Sequence, residues 1–410
     1  MNRSTWLTCV GLLLAACSTT GEGETAASAE SGSESETDAE SGSETGDELP
    51  AEPEYAPDAL GPFEVGYTQL NVVDPARDDR PLLVDVWYPA EAVDAGVDER
   101  AGYLLGGLFT LPSEVAWAEV PVSERSDQIM VVFSHGYRGI STQSFQLCET
   151  LASHGFIVVS PEHTGNSQAD DSDDFDAAAA NRVPDVSFLI DLFLAKHADA
   201  EDPFHGRLHT EDFGVVGHSF GGMTAIGAAA GWAGADADPR VKAVAPISAV
   251  IDATMQADTR TSPNAGFGEQ QLGEVSVPVM LIGGTEDTGV PVGNNALAFD
   301  WLTGAPAVYR ADIIGANHTH FSNVCAIGDL LIENGIPQET WEMIGAGDLI
   351  APYNATCGPE AFPIEEATRL QDLYVVAFFR RHLLGEGDYD HYLSPEYADS
   401  EPAITYWERE

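Results

Sequence analysis

From residue 65 onward, short apolar runs alternate with segments whose apolar residues recur at helical spacing. The runs of strand length span 66–74, 81–89, 129–136, 155–163, 213–219, 241–248, 277–284 and 307–316. Several are continuous Val, Ile and Leu runs, which is typical of parallel strands covered on both faces. The helical segments span 143–154, 183–197, 220–231, 293–303 and 365–384. This alternation predicts an α/β fold, with a mostly parallel eight-stranded sheet and helices on both faces.

Three stretches depart from this alternation. Residues 91–128 are expected to form an insertion before the third strand, and residues 251–276 a polar loop. Residues 322–364 are too long for a structureless loop in a compact domain, so a small packed insertion is expected there. That insertion contains Cys325 and Cys357, for which a disulfide is predicted, although sequence alone does not fix the pairing.

The first residues have the pattern of an export signal. The apolar run WLTCVGLLLAAC is too short to span a bilayer as a helix. Its end, Leu-Ala-Ala-Cys, resembles the lipobox of bacterial lipoproteins. That resemblance implies a signal peptide over 1–16, a lipid on Cys17 and, because Ser18 follows, attachment to the outer membrane. The alternative is an ordinary cleaved signal peptide that releases a secreted protein.

Charge separates the next segment from the rest of the chain. Residues 18–58 carry many carboxylates and no Lys or Arg, so 17–58 is predicted to be a lipidated cysteine followed by a disordered linker. The domain then spans 59–410. The whole chain has a formal net charge of −50, which argues against nucleic-acid binding. The sequence does not indicate an oligomeric state.

The stretch FGVVGHSFGG places Ser219 between an apolar strand and an alanine-rich helix. The pattern G-x-S-x-G alone is weak evidence, but a strand before it and a helix after it are the context of a nucleophile elbow. Gly217 and Gly221 would be required there because side chains at those positions would collide. Ser219 is therefore the candidate nucleophile.

A serine nucleophile needs a general base, and IIGANHTHF after the last predicted strand supplies one. His318 is the candidate and His320 the alternative. The two could instead form a metal-binding H-x-H pair, but no third ligand lies nearby in the sequence. We therefore expect neither a metal nor a cofactor.

The acid that orients the base should follow an apolar strand upstream of His318. VPVMLIGGTEDTGVP provides Asp287, with Glu286 next to it as the alternative. Asp252, after the preceding strand, is a further alternative.

The oxyanion needs two N–H donors. One is expected from Phe220, the residue after the nucleophile, and the other from Tyr137 in FSHGYRG after the third strand. His135 in that loop is interpreted as structural. Arg182 and Asp185 are expected to form an ion pair or a helix cap.

These motifs together resemble the α/β-hydrolase fold. More narrowly, FSHGYRG, LASHGFIVVSPEH, GHSFGG, GGTEDTGVP and GANHTHF are similar to the group that contains plasma-type platelet-activating-factor acetylhydrolase and predicted dienelactone hydrolases. The resemblance implies a serine esterase that acts on short-chain or phospholipid-type esters, with a small-molecule or lipid ester as its partner. The alternatives are a peptidase or amidase on the same fold and a non-catalytic surface binding protein.

Overall fold

The computed structural model describes residues 51–91, 93–105, 109–256 and 261–409. The predicted signal peptide, Cys17 and most of the predicted linker lie outside the described residues. Within the part that is described, no helix is both long and apolar enough to cross a bilayer.

The described strands form a single eleven-stranded sheet. They are β1 (Val65–Asp74), β2 (Arg80–Pro89), β3 (Arg100–Leu105), β4 (Phe109–Ala118), β5 (Gln128–Ser134), β6 (Ile157–Glu162), β7 (Leu208–His218), β8 (Val241–Ile247), β9 (Val279–Gly284), β10 (Val308–Ile313) and β11 (Ile404–Arg409). Their order across the sheet is β11-β10-β9-β8-β7-β5-β6-β2-β1-β4-β3. The strands from β6 to β10 in this order are all parallel, which confirms the predicted sheet type.

All eight predicted strands are present. The sheet has three further strands that were not predicted, β3, β4 and β11. The segment 91–128, expected to be an insertion, contains β3 and β4, and β4 pairs parallel to β1 at the sheet edge. β11 pairs antiparallel to β10 at the opposite edge. These three strands lie at or next to the sheet edges and mix buried with exposed residues, so they give a weaker signal than continuous apolar runs.

Helices cover both faces of the sheet. They are α1 (Phe145–Ser153), α2 (Phe175–Ala198), α3 (Phe220–Ala230), α4 (Glu269–Gly273), α5 (Gly293–Trp301), α6 (Val324–Glu333), α7 (Ile350–Thr356), α8 (Ile364–Leu383) and α9 (Pro395–Ala398). α1 and α8 pack on one face, and α2, α3 and α5 on the other. α2 begins earlier than predicted because the side chain of Asp174 caps it, and Pro184 lies inside the helix rather than near its start.

The segment 322–364 folds as a small packed unit. It contains α6, α7 and two short 3₁₀ helices, and its own apolar cluster surrounds the fully buried Trp341. A disulfide joins Cys325 and Cys357, with their Cα atoms 5.5 Å apart.

The parallel strands bring their carboxyl ends to one edge of the sheet. Ser134 at the end of β5 lies opposite Gly217 near the end of β7, and Gly284 at the end of β9 lies opposite Ile313 at the end of β10. β5 is also the strand at which the chain order reverses, since β6 lies on one side of it and β7 on the other. Crevices at such switch points are where α/β proteins bind ligands.

Candidate active site

Ser219 occupies a sharp turn between β7 and α3. Its φ of 59° is the left-handed region that L-residues rarely adopt. The two flanking glycines are required by close packing. A Cβ on Gly217 would lie 2.4 Å from the carbonyl oxygen of Gly221, and a Cβ on Gly221 would lie 1.7 Å from that of Ser134. The turn holds the serine hydroxyl above the carboxyl ends of the strands.

Three predicted residues from separate loops meet at this turn. His318 Nε2 lies 3.0 Å from Ser219 Oγ, and His318 Nδ1 lies 2.7 Å from Asp287 Oδ2. The second oxygen of Asp287 accepts a hydrogen bond of 2.7 Å from the N–H of Val290. With Nδ1–H donating to the carboxylate, Nε2 presents a lone pair to the serine hydroxyl. This is the geometry of a nucleophile, a base and an orienting acid.

The alternative residues lie in other arrangements. Glu286 is exposed, and Asp252 uses its side chain to accept from the N–H of Thr254 at 2.8 Å. His320 is buried, accepts from the N–H of Asn317 and contacts the Phe362 carbonyl at 2.9 Å. These hydrogen bonds of Asp252 and His320 do not involve Ser219 or His318.

The loop after β5 lies directly beside the nucleophile. A Cβ on Gly136 would lie 3.5 Å from Cβ of Ser219, so the Gly136–Tyr137 peptide borders the site. Phe220 is the first residue of α3, where an N–H group has no acceptor within the helix. Gln143 holds the loop by accepting from the N–H of Gly136 at 2.9 Å.

Arg182 lies behind this loop and is fully buried. Its guanidinium donates to the carbonyls of His135 and Gly136 rather than to Asp185, so the expected Arg182–Asp185 ion pair was wrong. Asp185 instead contacts His163 Nδ1 at 2.8 Å, as well as two other arginines. The acceptors of Arg182 all lie outside α2, so its pairing depends on how the helix packs against the rest of the domain.

His135 and His218 are two buried histidines at the site. His135 Nδ1 donates to the Gly136 carbonyl at 2.7 Å, which supports the interpretation of His135 as structural. His218 packs beside His318 and contacts Gln143 Nε2 at 2.9 Å. Burial lowers the pKa of both rings well below the usual range, so both are neutral. The packing of His218 against His318 was not predicted. The only signal in the sequence was that His218 directly precedes Ser219 in GHSFGG.

The disulfide-closed segment holds the loop that carries His318. Asn317 Nδ2 donates to the Ala355 carbonyl at 3.1 Å, and Thr356 Oγ1 donates to Asn317 Oδ1 at 3.1 Å. These contacts come from the residues immediately before Cys357. The segment therefore supports the predicted base.

No cluster of three or more His, Cys, Asp or Glu residues suited to a metal ion occurs in the described ranges. The turn itself brings together a hydroxyl, an imidazole, a carboxylate and free N–H groups. Together they can activate a hydroxyl and stabilise an oxyanion.

Comparisons with known proteins agree with this architecture. A family model described as Chlorophyllase matches residues 120–326, which is just over half of the chain. A solved structure, the ferulic acid esterase from Streptomyces cinnamoneus, has a TM-score of 0.57 and 23% sequence identity. The match covers 84% of this chain and 96% of that one, and it shows a shared fold. No curated protein matches the chain at a significant level. The chain belongs to the chlorophyllase family and is a carboxylic ester hydrolase of the α/β-hydrolase fold.

Proposed function

We propose that the protein hydrolyses carboxylic esters through an acyl-enzyme formed on Ser219. The single observation that carries this proposal is the chain of two contacts from Ser219 Oγ through the His318 ring to Asp287. A serine hydroxyl is a weak nucleophile unless a base removes its proton, and this arrangement provides that base.

In the acylation step, Ser219 Oγ attacks the carbonyl carbon of the ester while His318 Nε2 takes the hydroxyl proton. The carbonyl π bond opens to give a tetrahedral oxyanion, and Asp287 stabilises the imidazolium that forms. Collapse of the oxyanion breaks the bond to the alcohol oxygen. The departing alcohol takes the proton from His318, and the acyl group remains on Ser219.

In the deacylation step, His318 removes a proton from a water molecule that attacks the acyl carbon. A second oxyanion forms and collapses, the bond to Ser219 Oγ breaks, and the proton returns to the serine. The products are the free acid and the original enzyme. The N–H groups of Tyr137 and Phe220 stabilise both oxyanions, in accordance with the position of the two residues beside Ser219.

The substrate class is a short-chain or phospholipid-type acyl ester. Three aromatic rings pack together at the residue after Ser219: the Phe220 ring lies 5.3 Å from that of Tyr137 and 5.2 Å from that of Phe175, measured between centroids. Tyr137 and Phe175 are partly exposed, so they offer an apolar wall beside the site. The resemblance to plasma-type platelet-activating-factor acetylhydrolase supports an acyl group of this kind.

The test is a series of p-nitrophenyl esters of rising acyl length, together with methyl ferulate, an acetylated phospholipid and an anilide. We expect the short esters or the phospholipid to be hydrolysed fastest and Ser219→Ala to abolish hydrolysis. Full activity of Ser219→Ala would overturn the mechanism. A clear preference for the anilide would favour a peptidase or amidase instead, and a preference for long acyl chains would contradict the substrate class.

We also propose that the enzyme is exported and tethered to the outer membrane by a lipid on Cys17. The acidic, cation-free segment 18–58 supports this proposal, since it suits a tether between an anchor and a folded domain. Labelling with radioactive palmitate in a bacterial host tests it. Label on the wild type that is lost in Cys17→Ser is expected, and label that persists in Cys17→Ser would contradict the anchor.

A further inference from the structure

The carbonyl of Gly136 accepts hydrogen bonds from three donors. Arg182 Nη2 lies 3.1 Å from it, His135 Nδ1 2.7 Å, and the N–H of Gly139 3.1 Å. Few carbonyl oxygens carry this many donors, because each has two lone pairs. The orientation of the Gly136–Tyr137 peptide is therefore strongly fixed.

The opposite side of the same peptide carries the N–H of Tyr137. The described chain has no cis peptide bonds, so C=O and N–H of this unit point in opposite directions. Donors gathered on the carbonyl of Gly136 consequently determine where the N–H of Tyr137 points. They also polarise the peptide, which makes its N–H a stronger donor.

Arg182 contributes more to this anchor than one hydrogen bond. Its Nη1 lies 2.5 Å from the carbonyl of His135 and 3.1 Å from Ser134 Oγ, and its Nη2 lies 2.6 Å from Asn166 Oδ1. The planar guanidinium thus holds two successive carbonyls of the loop in one rigid fork.

Arg182 lies next to a buried network of other charged side chains. Arg77 and Arg80 both contact Asp185, Arg77 also contacts Asp74, and Arg80 lies close enough to Asp170 for electrostatic attraction, so carboxylates balance these two arginines. Burial lowers the pKa of Arg182 to about 9, which still leaves it charged at neutral pH.

We propose that Arg182 is a positioning residue for the oxyanion: it fixes the Gly136–Tyr137 peptide and places positive charge behind it. This inference rests on the proposed function, in which Tyr137 donates to the oxyanion. The charge and the fixed peptide stabilise the transition state more than the bound ester, because negative charge on the carbonyl oxygen develops only as the reaction proceeds.

The test compares Arg182→Lys with the wild type in the full-length purified protein. Lysine keeps the charge but lacks the fork that holds both carbonyls. We expect kcat to fall about tenfold to hundredfold with KM within about twofold, and affinity for a trifluoromethyl ketone analogue to fall in parallel. Arg240→Lys is the matched control, since Arg240 also contacts α2, through Asp191 at 2.5 Å, but not the loop.

An unchanged kcat and ketone affinity in folded Arg182→Lys would overturn the proposal. An equal loss in Arg240→Lys would also overturn it, because the cause would then be a general loosening of α2. Where circular dichroism shows that Arg182→Lys does not fold, Asn166→Ala decides: a several-fold fall in kcat supports the anchor, and wild-type kcat contradicts it. Ser219→Ala separates the two hypotheses, since its full activity would remove the proposed function itself.

Discussion

The ring of His218 packs against the ring of His318, with centroids 4.5 Å apart and planes tilted by 46°. His218 is one residue before the proposed nucleophile in sequence, so the same strand that presents Ser219 also supports the proposed base. Because burial keeps His218 neutral, it can support His318 without repelling the imidazolium of the proposed mechanism.

Replacing His218 therefore tests whether ring packing orients the base. His218→Phe keeps a ring against His318 but loses the contact with Gln143, so we expect it to retain more of kcat than His218→Ala. His218→Ala removes the ring and should lower kcat about tenfold to hundredfold, since small displacements of catalytic groups are costly. Steady-state kinetics check this, and equal rates for Ala and the wild type would show that the packing is irrelevant.

Asp287 and Glu286 form a matched pair of neighbouring carboxylates. Asp287→Asn should lower kcat by about 10⁴-fold, because the amide favours the wrong tautomer of His318. Glu286→Gln should leave kcat within about twofold, since Glu286 is exposed. Measuring kcat of both variants at the same pH shows which of the two carboxylates orients His318. A larger loss of kcat in Glu286→Gln than in Asp287→Asn would show that Glu286, not Asp287, is the orienting acid.

Gly221→Ala should destabilise the protein strongly. The added Cβ would meet the backbone oxygen of Ser134 at 1.7 Å, and neither backbone can move without breaking the turn. We expect a loss of about 3 kcal/mol or more in the free energy of unfolding. The control is Gly268→Ala, whose Cβ would meet nothing within 4 Å. Urea denaturation measures both, and similar midpoints would contradict the packing argument.

The Cys325–Cys357 disulfide closes a segment with a sequence separation of 32 residues. Chain-entropy arguments give about 3–4 kcal/mol of stabilisation for such a loop, if the segment unfolds together with the domain. Because the segment holds Asn317, we also expect the double Cys→Ser variant to lose kcat several-fold. Dithiothreitol should lower the rate of the wild type toward that of the variant and leave the variant unchanged. An effect of dithiothreitol on the variant would assign the loss to another cause.

Glu149 makes stability depend on pH. Burial raises its pKa from 4.5 to about 7, while hydrogen bonds from Ser113 and Tyr103 partly oppose that shift. Between about pH 4.5 and pH 7 the folded state holds a proton that the unfolded state has released, so the free energy of unfolding falls as pH rises. Relative to Glu149→Gln, the wild type should lose about 3 kcal/mol across this window. A constant difference between the two proteins would contradict the shifted pKa.

The sequence predicted the parts of the fold that depend on continuous apolar runs. All five parallel pairings from β6 to β10 involve such runs, and the Ser219, His318 and Asp287 positions follow three of them. The strands β3, β4 and β11, at or next to the sheet edges, were missed because exposed residues interrupt their apolar positions. Long-range hydrogen bonds could not be predicted from the sequence either. The partners of Arg182, for example, depend on how α2 packs against the loop after β5.

The bridge between Cys325 and Cys357 has a consequence for when the enzyme becomes active. Cysteines stay reduced in the cytoplasm and pair only in an oxidising compartment. Under the export proposed above, the support that the bridged segment gives to the His318 loop would be completed only outside the cytoplasm. A chain retained in the reducing cytoplasm would therefore hydrolyse esters more slowly than the same chain in an oxidising compartment.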